Sequence, residues 1–187
     1  MGLGQGEILY HSIKTNYHAM IKNFVKGKTA VFIDASNIFY SQRTLGWRID
    51  YQKLRKYLER ECALVGLYFY TGKIGLDNKQ AVFLQKLQDY GYHVTSKEVK
   101  IIRIAKDVYQ KKGDLDVELV IDVLKSADGF DTCILMSGDS DFAPLLDELK
   151  RRGKRVIVMS TKGHISRELI ERAKYLNLKR LRPYIEL

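Results

Sequence analysis

The sequence predicts an α/β protein built on an open, mostly parallel sheet with helices on both faces, preceded by an N-terminal helical extension. Three observations predict it. Apolar runs of strand length recur along the chain, amphipathic stripes at helical spacing separate them, and Gly, Asn or Asp turn signals stand between the two. Strands that alternate with helices pair in parallel because each crossover helix must pack back on the sheet, and right-handed crossovers leave few topologies.

Between Tyr10 and Phe24, apolar residues at Ile13, Tyr17, Met20, Ile21 and Phe24 form a helical stripe, and Gly27 fits a C-terminal cap. Residues 1–27 are read as the extension and 28–187 as the domain. Ala30 to Ile33 is a continuous apolar run, the pattern of a strand covered on both faces, and it stops at Asp34. Asp50 can cap a helix with Tyr51, Leu54, Tyr57 and Leu58 inward, and Leu64 to Tyr70 supply a second strand. A turn from Gly72 to Asn78 leads to a helix marked by Val82, Phe83 and Leu87 and ended near Gly91, then to a third strand at Tyr92 to Thr95. Lys97 to Ile104 reads as an edge strand or an extended loop, and Lys111 to Gly113 as a turn. A helix from about Asp116 to Lys125 precedes a buried strand, Thr132 to Met136. The last units are a helix from about Asp141 to Arg152 with Pro144 in its first turn, a strand from Arg155 to Met159, and a helix from about Ser166 to Tyr175.

A chain of 187 residues with 45% hydrophobic content supports one core. Lys and Arg outnumber Asp and Glu by 32 to 22, a formal charge of +10, so an anionic partner is expected. Two cysteines, Cys62 and Cys133, exclude a disulfide framework and a thiolate zinc site, and point to a reducing, cytoplasmic setting. No apolar run approaches the roughly 20 residues of a spanning helix, and Met1 to Gly6 lacks the layout of a signal peptide, so no membrane association is expected.

In open sheets of this kind ligands bind outside the carboxyl ends of the strands. The first strand delivers Asp34 and then Asn37 to that edge, and the strand ending at Met136 delivers Ser137, Asp139 and Asp141. Asp114 and Asp116 stand where a helix begins, and Asp116 shares the inward face with Leu119, Val120 and Val123; Asp122 falls on the other side, near Glu118. Carboxylates gathered in one crevice repel each other, and burial without a partner costs several kcal/mol each, so a cation must offset them. All-oxygen donors suit Mg²⁺ or Mn²⁺ better than zinc or copper. Such an ion, with positions left for water and phosphate oxygens, can activate water for attack on phosphorus.

Three segments carry a family resemblance: Val31-Phe32-Ile33-Asp34-Ala35-Ser36-Asn37, then Lys112-Gly113-Asp114-Leu115-Asp116-Val117-Glu118-Leu119-Val120-Ile121-Asp122, then Leu135-Met136-Ser137-Gly138-Asp139-Ser140-Asp141-Phe142 with Pro144-Leu145-Leu146. In this order, from about Thr29 to about Leu181, the chain resembles the NYN domain family in its LabA-like branch. The resemblance implies a PIN-like, Rossmannoid nuclease fold and metal-dependent cleavage of RNA, including single-stranded RNA. It assigns Asp34, Asp116 and Asp139 to the catalytic metal-binding acids, Asp141 to a further metal-binding acid, and Asn37 to a supporting residue; Asp122 matches a recurrent helix acid.

Ordinary structural roles compete with these. Asp34 can start a turn, Asp141 can cap a helix, Asp116 can complement the helix dipole, and Ser137 can bind phosphate or close its turn. The cluster Lys150, Arg151, Arg152, Lys154 and Arg155 sits at the amino end of a strand, away from the crevice, whereas Arg43, Lys111 and Lys112 flank the acidic motifs and are the better phosphate contacts. His164 is a candidate for the rim. A phosphatase with an aspartate nucleophile wants a second Asp two residues after the first, and that position is Ser36. A non-catalytic RNA-binding or regulatory module of the same fold is the rival reading. The N-terminal helix is a candidate surface for a homodimer.

Overall fold

The computed structural model describes residues 21–187 apart from residues 74, 76, 106, 107 and 113, with backbone alone over 100–112. Its elements are β1 (Lys28–Asp34), α1 (Ala35–Leu45), α2 (Tyr51–Glu61), β2 (Ala63–Lys73), α3 (Asn78–Asp89), β3 (His93–Glu98), β4 (Lys100–Ala105), β5 (Val108–Lys112), α4 (Asp116–Ser126), β6 (Thr132–Met136), α5 (Ala143–Arg151), β7 (Arg155–Ser160), α6 (Arg167–Arg172), β8 (Lys174–Asn177) and α7 (Arg182–Ile185). Six strands form one sheet in the order β3-β2-β1-β6-β7-β8, and every pairing in it is parallel.

Alternation along the buried strands sorts the core into two layers. Val31 and Ile33 of β1, Ile134 and Met136 of β6, and Ile157 and Met159 of β7 face α1, α2 and α7, where Ile38, Leu54, Leu58 and Ile185 are buried. Ala30 and Phe32, Cys133 and Leu135, and Val156 and Val158 face α4, α5 and α6, where Leu119, Val123, Leu146 and Leu169 are buried. Successive side chains of a strand point to opposite faces, so continuous apolar runs are what a strand covered on both sides requires. The connection from β1 to β2 runs over the first face and the helix entering β6 lies on the second. β1 and β6 are therefore the adjacent strands at which the winding reverses.

Four elements differ from the sequence expectation. α1 follows Asp34 directly; it buries only Ile38 and Ser41, too short a stripe to be read as a helix. The segment after β3 is a two-stranded antiparallel hairpin, β4 with β5, standing outside the main sheet, so Lys111 belongs to a strand and not to a turn. The final helix stops at Arg172, and Lys174–Asn177 forms a sixth strand on the sheet edge, paired with β7. A four-residue edge strand carries too little alternation to be told from a helix end.

Residues 21–24 form a turn, and Ile21 is fully buried in the first layer with Phe24 and Val25 packed against it. The Lys26 backbone is tied to Thr132, which accepts from its N–H at 2.9 Å and donates to its carbonyl at 2.7 Å. The helix expected from Tyr10 otherwise lies outside the described residues, as does the dimer surface it was to supply.

Candidate metal centre

Strand register builds the site. Asp34 is paired with Tyr70 across β1 and β2, and Ile33 with Met136 across β1 and β6, so Asp34, Tyr70 and Ser137 stand at one level across three adjacent strands. Asp34 Oδ1 accepts from the backbone N–H of Ser36 at 3.0 Å and Asn37 at 3.2 Å, which makes it the N-cap of α1. Asp34 Oδ2 accepts from Ser137 Oγ at 2.9 Å, and the same Ser137 oxygen accepts from the Asp139 N–H at 3.2 Å. Ser137 thus joins the first acid to the loop carrying the next.

Asp139 Oδ1 accepts from the Asp141 N–H at 3.0 Å and caps the short turn of helix at Ser140–Phe142. The capping role expected of Asp141 therefore belongs to Asp139, and Asp141 is left exposed. Gly138 has no room for a side chain, because a methyl group there would overlap the His164 carbonyl oxygen; its own carbonyl accepts from the Ser166 N–H at 2.9 Å.

A cavity of about 340 Å³ opens at this edge, lined by Asp34, Ser36, Asn37, Tyr40, Tyr70, Asp114, Leu115, Asp116, Leu119, Asp139 and Asp141. Five of these are aspartates and none is a cation. They come from three chain segments: the β1–α1 junction, the start of α4 and the loop after β6. Burial, and then the charges of Asp34, Asp114, Asp139 and Asp141, push the Asp116 carboxyl up to about 6. Asp34 is also raised, chiefly by burial, against the opposing pull of its hydrogen bonds from Ser137, Asn37 and Ser36.

The donor chemistry fits a hard divalent cation. Among the described residues every polar lining group offers oxygen or amide, with no thiol or imidazole. Among the described residues no three acidic, His or Cys side chains form a ready-made ligand cage. Mg²⁺ does not need one, since it keeps several waters and is held through one or two carboxylates.

The other expected residues divide. Asn37 lines the cavity and its Oδ1 accepts from Ser160 Oγ at 3.4 Å. Asp122 was expected on the outward side, but its Oδ2 accepts from the Tyr70 hydroxyl at 3.0 Å. Position 122 follows Leu119 by three residues and so flanks the inward stripe, where a tyrosine from the sheet reaches it. Arg43 is exposed one turn beyond Tyr40 on α1. Lys111 and Lys112 lie in β5, opposite Ile101 and Lys100, shortly before the lining residue Asp114. His164 does not line the cavity; its Nε2 meets Thr44 Oγ1 at 2.6 Å. Tyr40 and Tyr70 were not singled out from sequence, although Tyr40 follows Ser36 and Asn37 at helical spacing.

The basic cluster is occupied elsewhere. Arg151 and Arg152 both pair with Glu148 at 2.7 Å, Lys150 donates to the Arg172 carbonyl, Lys154 to that of Phe130 and Arg155 to that of Phe24.

Residues 28–178 match the NYN domain. The chain belongs to the NYN domain family. This family belongs to the PIN-like nuclease superfamily. The NYN chain is 33% identical over 168 residues to Low amplitude and bright protein LabA of Synechococcus elongatus, across 87% of this chain and 90% of that one. It is 25% identical over 180 residues to an uncharacterized protein of Methanocaldococcus jannaschii, across 93% of this chain and 66% of that one. A crystal structure of a protein of unknown function from Vibrio parahaemolyticus has the same fold, with a TM-score of 0.72 and 27% identity over 87% of this chain and 97% of that one. Among the described residues of this NYN protein, no helix is long and apolar enough to cross a membrane.

Proposed function

We propose that this NYN domain is a metal-dependent ribonuclease that hydrolyses RNA phosphodiester bonds at the aspartate-lined cavity. The observation that carries the reading is the convergence of five aspartates from three chain segments, with no cation among them, at the reversal point of a sheet in a protein of net charge +10. Asp34, Asp116 and Asp139 would hold Mg²⁺ or Mn²⁺, with Asp141 beside them. When bound, the ion offsets the carboxylate charge, polarises phosphate and lowers the pKa of water toward neutrality.

The chain's own residues bind and orient. Ser137 holds Asp34 in place and the α1 backbone holds its other oxygen, so Asp34 presents its remaining lone pairs to the cavity. Tyr70 is pinned by Asp122 and closes one wall. Arg43, Lys111 and Lys112 would carry the RNA backbone over the acids, because phosphate contacts supply affinity and register.

Purified protein, labelled single-stranded RNA and Mn²⁺ test the reading. Cleavage by wild type, lost in Asp139→Asn, is expected. No cleavage by wild type, or equal cleavage by Asp139→Asn, removes the catalytic claim, and RNA binding without turnover would leave a non-catalytic RNA-binding module.

A further inference from the structure

The outward stripe of α1 holds two aromatic rings that stand more than half in solvent. Phe39 and Tyr40 are each 56% exposed, while the helix packs through Ile38 and Ser41. Large apolar groups left mostly in water on one face of a short helix add little to packing. Their position is particular. Tyr40 lines the aspartate cavity together with Ser36 and Asn37 of the same helix. The two rings meet edge to face, with centroids 5.7 Å apart at 75°, so Phe39 steadies the Tyr40 ring and leaves it accessible.

Asp34 caps this helix, which sets the distance from acid to ring. Six residues at a rise of 1.5 Å put Tyr40 about 9 Å along the axis from Asp34, a span of one or two nucleotides. Arg43, one turn further on, is exposed and forms no ion pair among the described residues. An acid cavity, an open aromatic face and a cation follow one another along the helix at nucleotide spacing.

We propose that Tyr40, buttressed by Phe39, is a stacking seat for one unpaired base of a single-stranded nucleic acid, placed one or two nucleotides from the phosphate held at the aspartates. This rests on the reading that the cavity acts on nucleic-acid phosphate. It makes single strands and not duplexes the substrate class, because a base inside a duplex is already stacked on both sides and has no free face to offer. Stacking tolerates any base, so the seat selects strandedness and not sequence.

The test is binding by the full chain in Ca²⁺, a hard cation that takes the same oxygen donors, with cleavage scored separately in Mn²⁺. The native tryptophan, Trp47, is 6% exposed, so Tyr40→Trp introduces a reporter at the site. Its emission should fall on titration with a uridine oligonucleotide, and should not respond to an RNA duplex or to an abasic strand of equal length. Tyr40→Ala should bind the uridine oligonucleotide about tenfold more weakly, and Tyr40→Phe as wild type does. Unchanged emission with the single strand, equal quenching by the abasic strand, or equal affinity of Tyr40→Ala overturns the proposal. Quenching in a protein that cleaves nothing with Mn²⁺ removes the nuclease reading and keeps the seat. Cleavage with affinity indifferent to position 40 does the reverse.

Discussion

Ser137 donates a 2.9 Å hydrogen bond to the carboxylate of Asp34 from a position 103 residues further along the chain. The parallel register of β1 with β6 makes this contact, since Ile33 opposite Met136 brings the next residue of each strand together. The bond holds an acid that is half-buried and short of compensating charge. Ser137→Ala should lower stability at pH 7 by about 1 to 2 kcal/mol, because a charged acceptor loses its donor. It should also move the Asp34 carboxyl further up, since this hydrogen bond is the largest influence holding it down. Urea unfolding and NMR titration of the Asp34 carboxyl measure the two effects; an unmoved Asp34 would show that the bond does not hold in solution.

The acid cluster sets the pH dependence of the metal-free protein. Asp116 titrates near 6 in the folded chain and near 3.8 when free, so folding favours its protonated form. That contribution is full below about pH 4 and is lost as pH rises through about 6. Melting curves in chelator should show wild type losing stability across this window, and Asp116→Asn losing less. Mn²⁺ should restore stability to wild type at pH 7 more than at pH 5, because it binds the ionised acids, and should do little for Asp116→Asn.

Gly138 is where two loops touch. Gly138→Ala would drive a methyl group into the His164 carbonyl oxygen, a backbone atom with no rotamer to yield. A loss of more than about 2 kcal/mol is expected, in line with other overpacked sites, and RNA cleavage should fall with it because Asp139 is the next residue. Gly129 has open space around its Cβ direction and no positive φ, so Gly129→Ala should be close to neutral. Chemical denaturation of the two variants distinguishes a local clash from a general intolerance of Gly→Ala.

Charge alone is a poor guide to where RNA would bind on this surface. Arg151 and Arg152 are engaged with Glu148, so replacing either by Ala should leave RNA affinity within about twofold. Arg43→Ala, Lys111→Ala and Lys112→Ala should each weaken binding and reduce the slope of log K against log salt by about 0.7, the value for one single-strand phosphate contact. Binding isotherms at three salt concentrations decide it. A loss centred on Arg151 and Arg152 would place the RNA at the wrong end of the sheet.

Much of the fold was legible because β1, β6 and β7 are covered on both faces and therefore read as unbroken apolar runs, and because Asp50 and Pro144 mark helix starts by local chemistry. α1 was not legible. Its inner stripe is Ile38 and Ser41, and its two aromatic residues face outward. Missing that helix also hid the capping role of Asp34 and the place of Tyr40. The basic hairpin and the four-residue β8 lacked the periodicity that reveals longer elements.

The order of strands and helices, the excess of positive charge and the aspartates at strand ends are properties of local sequence, since burial and capping act on neighbouring residues. Which side chains meet is another matter. The Ser137 bridge, the Tyr70 to Asp122 bond and the upward pull on Asp116 all depend on strand register and crossover direction. Those are set by packing between segments 52 to 103 residues apart, and no pattern within one segment encodes the distance to another.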